Sequence, residues 1–326
     1  MSAPTTTSVL RLATRPSPMA LEQTDRFAGL FRHRHPDITL EIIHVVSEGD
    51  AHRGPLAQIG GKGAFTRRAD TLLLDGRVDA TIACAKDVPS EHDRAPGISL
   101  GAVLPREDAR DALVLPTGHP PTRLTDLPPG TRVGTSAPRR AALLRALHPR
   151  LVPVAIRGNA DRRLTRLDAG TLGADVMIAA YAGLRRLGHT DRASEILDPA
   201  RWLPASGAGI VTIEHRTGDT ATHSRLTTLT HTPTELQYTA ERATLAALMG
   251  GCLTAASAHA VLDPDGRQLT VHAAVLDPAG NAPLTASASG PCTEAGNTGH
   301  RIGQQLLAAG AARLLAAGHD TRNRIS

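Results

Sequence analysis

Cysteine and aromatic residues are scarce in this chain of 326 residues. Its three cysteines, Cys84, Cys252 and Cys292, lie far apart and form no Cys-x-x-Cys pair, which excludes a disulfide scaffold and a structural zinc module. Only three phenylalanines, two tyrosines and one tryptophan are present, so stacking platforms for single-stranded nucleic acid are few. No apolar run approaches the ~20 residues of a membrane span, and the polar N-terminus carries no signal-peptide pattern. We therefore expect a cytoplasmic protein that binds neither membranes nor nucleic acid.

Lysine is the scarcest charged residue. The chain has 36 lysines and arginines against 31 acidic residues, a net charge of +5, yet Lys62 and Lys86 are its only lysines. Because lysine and arginine are not interchangeable at a tight site, a lysine kept in an arginine-rich chain marks a candidate site residue. Two surface lysines left by chance are the alternative. The scattered arginines favour small carboxylate or phosphate ligands over a nucleic acid.

Strand-like and helix-like segments alternate up to about residue 205. This alternation predicts an α/β architecture with mostly parallel sheets. We expect three units: lobe 1, made of residues 1–105 with 206–228; lobe 2, made of residues 106–205; and a small C-terminal α+β domain, residues 229–326. The third unit is expected to hold a helix from Thr232 to about Leu248, then strands and a terminal helix.

One predicted strand ends in two charged residues. The apolar segment Ala80–Cys84 is followed by Lys86 and Asp87, which places both charges at the carboxyl edge of a parallel sheet. That edge is where ligands bind in open α/β folds. The alternative interpretation is a surface ion pair before a proline turn.

Two predicted strand ends in lobe 2 are followed by residues that are typical of an anion-binding site. Residues 134–140 combine Thr135 and Ser136 with a helix start and twin arginines, and 156–159 followed by Arg163 repeats the pattern. Helix N-termini and guanidinium groups both bind anions, so several carboxylates bound together are expected. Ordinary N-capping by Thr135 or Ser136 is the alternative for the first of these.

Three further segments are candidates. Arg15 and Ser17 lie in a third strand–turn–helix pattern, and a long glycine-containing loop over 47–62 carries Lys62. This loop lacks the spacing of a phosphate-binding P-loop, which argues against nucleoside triphosphates. Cys252 follows a predicted helix and two glycines and is expected on an exposed turn, although most lone cysteines are buried small hydrophobes.

Nine sequence motifs occur in a fixed order along residues 9–316. They are LATRPSPMAL, PLAQIGGKGAF, KDVP, REDARDA, GTSAPRR, IRGN, AGLRRLG, TAER and GGC. Together they resemble the porphobilinogen deaminase family, also called hydroxymethylbilane synthases. The resemblance implies two hinged α/β lobes like those of type II periplasmic binding proteins, with a small third domain.

The resemblance also implies an activity and a cofactor. Family members join four porphobilinogen units head to tail with loss of ammonia and release the linear tetrapyrrole hydroxymethylbilane, a step of porphyrin and haem biosynthesis. They carry a dipyrromethane cofactor joined to a cysteine by a thioether, which by resemblance is Cys252. The chain is accordingly expected to be a monomeric cytoplasmic transferase whose substrate is porphobilinogen.

Site residues follow by matching motifs. Asp87, Lys86 and Arg15 are expected to be catalytic, with Asp87 stabilising the azafulvene cation left by deamination. The expected cofactor-binding residues are Cys252, Lys86, Asp87, Ser136, Arg139, Arg140, Arg157 and Gly158. The expected substrate-binding residues are Arg15, Ser17, Lys62, Phe65, Arg157, Arg163 and Arg186. Arginine suits this task because every pyrrole carries an acetate and a propionate. No metal site is expected.

Four positions depart from the family pattern. Ala83 and Cys84 stand where relatives commonly have His-Ser, Ala208 stands for the glutamine of Gly-Gln-Gly, and Glu48 stands where a basic residue is common. These changes remove polar contacts near the cofactor but keep the catalytic aspartate and the cofactor cysteine. Two alternatives therefore stay open beside an active hydroxymethylbilane synthase. One is a divergent paralogue with altered pyrrole chemistry or lost activity; the other is a non-enzymatic carboxylate-binding protein, which needs neither residue.

Overall fold

The computed structural model describes residues 8–51, 63–90, 93–248 and 255–316. The strands in this part of the chain are β1 Ser8–Thr14, β2 Ile38–His44, β3 Ala80–Cys84, β4 Ile98–Val103, β5 Asp111–Val114, β6 Arg132–Thr135, β7 Val152–Ala155, β8 Val176–Ala180, β9 Ala193–Ile196, β10 Val211–Arg216, β11 Ala256–Leu262, β12 Gln268–Val275 and β13 Leu284–Pro291. The helices are α1 Pro18–Arg34, α2 Glu48–Ala51, α3 Arg67–Leu74, α4 Pro138–Leu147, α5 Ala160–Asp168, α6 Tyr181–Arg186, α7 Thr220–Thr227, α8 Thr232–Ala247 and α9 Ala295–Ala308.

Two five-stranded sheets have the same strand order. The first is β2-β1-β3-β10-β4 and the second is β7-β6-β8-β5-β9. In each sheet four strands run in one direction, while β10 or β5 runs against its two neighbours. The reversed strand is in both cases the first one formed after the chain crosses from the other sheet. The predicted α/β architecture is confirmed, with one antiparallel strand per sheet as the exception to parallel pairing.

Each of these sheets has its own apolar core. In the first, Leu10 and Leu12 of β1 face Phe27 and Phe31, which lie one turn apart on α1, and all four are fully buried. Burying one such side chain contributes about 1.5–3 kcal/mol. The core of the second sheet gathers around Trp202 together with residues of α4. Two separate cores of this kind agree with two lobes; their boundaries in the connecting segments stay a prediction.

The C-terminal unit is α+β, as predicted. The antiparallel strands β11, β12 and β13 form a three-stranded sheet, and α8 and α9 pack on it and on each other. Glycine makes the helix contact close: a Cβ at Gly299 would lie 2.1 Å from the carbonyl oxygen of Ala240. Any larger residue there would push the two helices apart.

Two predicted elements differ from the structure near residue 60. The helix predicted from residue 64 begins at Arg67, because residues 63–66 form a turn in which Gly63 has φ of 70°. The loop predicted over 47–62 begins with the short helix α2, and its residues 52–62 lie outside the described ranges. No helix of the described residues is long and apolar enough to cross a membrane.

Candidate active site

A cleft lies between lobe 1, lobe 2 and the C-terminal unit. Three adjoining cavities form it, and Phe65 and Asp87 line all three. Its walls come from the segments that directly follow β1, β3, β6 and β7. The carboxyl edges of both sheets therefore meet at the cleft, which is the position expected of a ligand site in this class of fold.

Asp87 and Lys86 lie on a single 3₁₀ turn, Ala85–Asp87, after β3. Both side chains are half-buried and line the cleft, which confirms their predicted place at the sheet edge. The turn is held from two sides. The amide of Ala85 donates to the carbonyl of Ile210 at 3.0 Å, and Arg242 of α8 donates to the carbonyls of the two residues after Asp87.

Arg15, Ser17 and Phe65 form the lobe 1 wall of the cleft. The Arg15 guanidinium lies over the Phe65 ring, 4.5 Å from its centroid, an arrangement worth about 0.5–2 kcal/mol. Phe65 packs so closely on Gly49 that a Cβ there would lie 2.5 Å from a ring carbon. Ser17 is buried at the N-cap of α1, but its side chain makes no capping bond.

The twin arginines of lobe 2 share a carboxylate that sequence reasoning missed. Arg139 and Arg140 both donate to Asp111 of β5, with Arg140 Nη2 2.6 Å from Oδ1, and the indole of Trp202 donates to Oδ2 at 2.9 Å. Burial alone would raise the pKa of Asp111, but the two guanidiniums outweigh it and hold that pKa well below its usual range. Asp111 lies inside the REDARDA motif, which was the available signal. The cofactor role of both arginines stays a prediction.

Arg157 and Arg163 form a second arginine group in lobe 2. No carboxylate of the described residues forms an ion pair with Arg163, and its buried Nε has no hydrogen-bond partner among them. Burial lowers the pKa of Arg163 to about 10, with Arg140 and Arg157 adding to the effect and Asp87 opposing it. This excess of buried positive charge calls for an anion. Gly158 beside it has φ of 106°, which an L-residue with a side chain rarely adopts.

Arg186 lies apart from the other predicted substrate-binding residues. Its buried side chain pairs with Glu107 at 3.2 Å and approaches Cys84 Sγ at 3.8 Å. It does not line the three cavities that form the cleft. The structure thus places Arg186 at the contact between lobes, and its substrate role stays a prediction.

Comparison with known proteins assigns the chain. The family model "Porphobilinogen deaminase, dipyromethane cofactor binding domain" matches residues 10–224, and that of the porphobilinogen deaminase C-terminal domain matches residues 236–308. The chain belongs to the porphobilinogen deaminase family. It is an enzyme of the transferase class, and the predicted family resemblance is confirmed.

Relatives in this family cover nearly the whole chain. The chain is 40% identical over 315 residues to porphobilinogen deaminase 2 of Streptomyces coelicolor, an alignment that covers 97% of this chain and 98% of that one. It is also 40% identical over 319 residues to porphobilinogen deaminase of Acidothermus cellulolyticus, covering 96% and 93%.

Solved structures with a similar fold are more distant. The periplasmic VFT2 domain of Bordetella pertussis BvgS has a TM-score of 0.41 at 17% identity, covering 67% of this chain and 85% of that one. A periplasmic binding protein of Salmonella typhimurium has a TM-score of 0.40 at 14% identity, covering 68% and 91%. These likenesses concern the fold alone.

The dipyrromethane cofactor of the family fits the residues of the cleft. A dipyrromethane carries acetate and propionate groups, and the cleft wall of lobe 2 holds Arg163 with a buried nitrogen that lacks a partner in the described residues. Ser136 also lines this wall. It does not cap α4, because the N-cap residue is Ala137, whose amide donates a hydrogen bond to Thr135 Oγ1. The wall is therefore suited to carboxylates.

Two residues of the predicted site, Lys62 and Cys252, lie outside the described ranges. Two described residues on either side of Cys252 in the sequence line the cleft. They are Leu245 of α8 and Ala256 of β11, and both line the same cavity as Asp87.

Residues that depart from the family pattern form contacts with neighbouring residues in the structure. Cys84 Sγ accepts a hydrogen bond from Gln23 Nε2 at 3.0 Å, and Glu48 pairs with Arg67 at 2.5 Å on the surface. Ala208 is buried. Ala83 pairs with Thr212 inside the first sheet, so all four changed positions are accommodated within lobe 1 and the return crossing.

Glycines flank Ala208 where the chain returns from lobe 2 to lobe 1. Gly207 and Gly209 have φ of 72° and 76°. A Cβ at Gly209 would lie 2.2 Å from the carbonyl oxygen of Glu107, and one at Gly207 would lie 2.8 Å from the Lys86 amide nitrogen. The Gly207 amide donates to the buried carboxylate of Glu241 at 2.6 Å. Only glycine meets both the conformation and the close approach.

Proposed function

We propose that this member of the porphobilinogen deaminase family is a hydroxymethylbilane synthase. It condenses four porphobilinogen units head to tail, releases one ammonia per unit and frees the linear tetrapyrrole by hydrolysis. The observation that carries the proposal is the carboxylate of Asp87, which lies half-buried in the same cavity as the partly buried guanidinium of Arg163.

Arginine recognises the substrate through its carboxylates. Each porphobilinogen carries an acetate and a propionate, and a guanidinium binds such groups with two parallel hydrogen bonds. Arg15 of lobe 1 and Arg157 and Arg163 of lobe 2 reach the cleft from opposite sides. A growing chain can therefore be held from both walls.

Asp87 acts on the charge that develops during deamination. When the aminomethyl nitrogen leaves as ammonia with the bonding electrons, the incoming unit becomes an azafulvene cation. A fixed carboxylate in a site shielded from water stabilises that cation. The α-carbon of the acceptor pyrrole then forms the new bond, and Asp87 accepts the proton that this carbon loses. Lys86, on the same turn, binds a substrate carboxylate.

The dipyrromethane cofactor supplies the acceptor pyrrole for the first unit. Cys252 is proposed as its attachment point, supported by the family motif and by the position of Leu245 and Ala256 at the cleft. Ser136, Arg139, Arg140, Arg157 and Gly158 are proposed to hold its carboxylates. We further propose a cytoplasmic monomer whose ligand is porphobilinogen rather than a nucleic acid or a membrane.

A mass measurement tests the cofactor and a product assay tests the reaction. Intact mass of the purified wild type is expected to exceed the chain mass by two linked pyrrole units, and Cys252→Ser is expected to lack the addition. Cys84→Ser and Cys292→Ser are the matched controls and are expected to keep it. Incubation with porphobilinogen is expected to give hydroxymethylbilane.

Two results would contradict this function. An adduct that maps to Cys84 or Cys292 would remove Cys252 from its role. A loaded protein that releases no tetrapyrrole from porphobilinogen would favour the second candidate, a paralogue with altered pyrrole chemistry, which the Ala83 and Cys84 departures favour.

A further inference from the structure

A small cavity lies behind Asp87, inside lobe 1. Its volume is about 30 Å³, room for one or two groups the size of a water molecule. Arg15, Phe65 and Asp87 line it and also line the neighbouring cavity of the cleft, so the small cavity adjoins the substrate site. Thr81 and Asp70 belong only to the small cavity.

Two polar atoms in the wall of this cavity lack partners. Asp70 is 9% exposed, and its Oδ1 is fully buried without a hydrogen-bond partner among the described residues; the same holds for Thr66 Oγ1. Burial raises the pKa of the Asp70 carboxyl, and Thr66, Arg94 and Arg67 oppose that shift. A buried carboxylate oxygen left without a donor is costly, so a site of this kind gains from a small cation or hydrogen-bond donor.

The reaction itself supplies a group of the right size and charge. Porphobilinogen carries one aminomethyl group, which is an ammonium ion at neutral pH, while its other charged groups are carboxylates. An ammonium group is about as large as a water molecule and donates three hydrogen bonds. The arginine-lined wall of lobe 2 is repulsive to it. In lobe 1 the carboxylates of Asp70 and Asp87 line the small cavity together with Arg15, so the negative charges there outnumber the positive one and attract an ammonium group.

We propose that this cavity is an ammonium pocket, in which Asp70 binds the aminomethyl group of the incoming porphobilinogen and the cavity receives the ammonia that leaves. The inference rests on the proposed function, since it names a subsite for that substrate. Asp70 and Asp87 then have separate tasks: Asp70 binds the leaving nitrogen and Asp87 stabilises the cation left on the ring.

The proposed step is balanced. The carbon–nitrogen bond of the aminomethyl group breaks, and both electrons leave with nitrogen as neutral ammonia. The positive charge stays on the methylene pyrrole next to Asp87. Ammonia takes a proton from water after it leaves, and Asp70 keeps the same protonation state throughout. Asp70 therefore acts on substrate binding more than on the chemical step.

Asp70→Asn tests the pocket, and Asp75→Asn is the matched control. Asp75 lies at the C-cap of the same helix, is exposed and lines none of the three cavities. Loss of a hydrogen bond to a charged group corresponds to a factor of about 10–100. In Asp70→Asn we expect KM for porphobilinogen to rise by about that factor while kcat is unchanged or higher, because Asp70 binds the charged nitrogen of the ground state and this interaction weakens as nitrogen leaves as neutral ammonia. Asp75→Asn is expected to match the wild type.

Ammonium chloride serves as a probe of the pocket alone. We expect it to inhibit the wild type competitively more strongly than tetramethylammonium chloride, whose cation is too large for the cavity. Asp70→Asn is expected to abolish the difference between the two salts. The porphobilinogen analogue with a hydroxymethyl group instead of the aminomethyl group is expected to inhibit both proteins equally, because it carries no cation.

The outcomes separate this inference from the proposed function. A wild type that makes hydroxymethylbilane, together with an Asp70→Asn protein of unchanged KM and unchanged preference for ammonium, overturns the pocket and leaves the activity standing. A wild type that makes no tetrapyrrole overturns the activity. The pocket is then judged by thermal unfolding: stabilisation by ammonium over tetramethylammonium that is lost in Asp70→Asn supports an ammonium site, and its absence overturns it. If Asp70→Asn does not fold, Thr66→Val is measured in the same way, with an expected rise in KM of about threefold to tenfold.

Discussion

Lobe 1 and lobe 2 share one strand order but bring different charges to the cleft: lobe 2 contributes arginines, whereas lobe 1 contributes carboxylates beside Arg15 and Lys86. Among the described residues that line the three cavities, the carboxylates are Asp70 and Asp87, both from lobe 1. The arginines after β6 and β7 come from lobe 2. The fold determines where the ligand site lies, which is at the strand ends along the edge that both sheets share. The two or three residues after each strand determine which charged groups that site presents to a ligand.

Within lobe 2, two groups of arginines also differ in the charges that surround them. Arg139 and Arg140 share the single negative charge of Asp111, whereas no carboxylate in the described part of the chain pairs with Arg163. The pair Arg139 and Arg140 stabilises the fold next to the cleft, while Arg163 offers its charge to the cleft. Mutations in each of the two arginine groups test whether they differ in their effect on stability.

The largest effect on stability is expected from Asp111→Asn. This change leaves two buried guanidiniums without their carboxylate, and breaking a buried pair in this way costs about 3–5 kcal/mol in the free energy of unfolding. Denaturant unfolding measures it. Asp168→Asn, which loses a more exposed pair with Arg192, is the control and should cost at most about 1 kcal/mol.

Acid unfolding gives a second measurement on Asp111. Because the pKa of Asp111 is lower in the folded than in the unfolded protein, its charge stabilises the fold fully above the unfolded value of about 4 and progressively less below it. The wild type should lose this stability as pH falls below about 4, and Asp111→Asn should have a flatter profile there. Equal profiles would contradict the role given to the Asp111 cluster.

Asp87→Asn is expected to be the most damaging change to catalysis. It keeps the shape of the side chain and removes the charge that stabilises the azafulvene cation. Loss of one well-placed electrostatic group typically costs about 10²–10³ in rate, or about 3–4 kcal/mol. Steady-state kinetics should show this in kcat while circular dichroism and porphobilinogen binding are kept. Turnover within a few-fold of the wild type would refute the catalytic role.

Arg163→Met and Arg139→Met should have opposite effects on stability. The pKa of Arg163 is lowered to about 10, so its charged form costs folding free energy at every pH below that value. Arg163→Met should therefore unfold at the same or a higher temperature than the wild type, yet load less cofactor or extend the chain more slowly. Burial lowers the pKa of Arg139 as well, but Arg139→Met removes its hydrogen bonds to Asp111 and to the Leu203 carbonyl and should therefore unfold at a lower temperature. Equal thermal shifts would remove the distinction between the two arginine groups.

The smallest effect is expected at the surface of lobe 1. Glu48 pairs with Arg67 where both side chains are more than two-fifths exposed, and such pairs contribute about 0–1 kcal/mol. Glu48→Lys restores the basic residue common in the family and should change the free energy of unfolding by less than about 1 kcal/mol. A larger loss would show that this departure has become part of the fold.

Much of the fold could be predicted because its helices and central strands are strongly patterned. The segment 80–84 is predicted with the bounds that the structure gives it, and the helix predicted from Thr232 ends within one residue of its expected end. Strands β4 and β5 are not predicted. Each pairs with strands that are distant in the sequence, so tertiary pairing rather than local pattern makes it a strand.

Only those site residues that follow a recognisable local sequence pattern could be predicted. Lys86 and Asp87 follow a buried strand, and the twin arginines open a helix, so both were found. Asp111 was not singled out, because nothing local shows that it meets Arg139 across a sheet. Asp70 lies on a helix with ordinary polar spacing, and only the three-dimensional packing of α3 against the cavity reveals its buried, unpartnered oxygen.

The two glycines at the return crossing bring the backbone of that crossing into contact with the segments that flank the cleft. Gly207 lies against the backbone of Lys86 with no room for even a methyl group, and its amide is fixed to Glu241 of the C-terminal unit. Any side chain at Gly207 would therefore displace the turn that carries Lys86 and Asp87, so the packing of this one residue sets where the charged edge of lobe 1 lies.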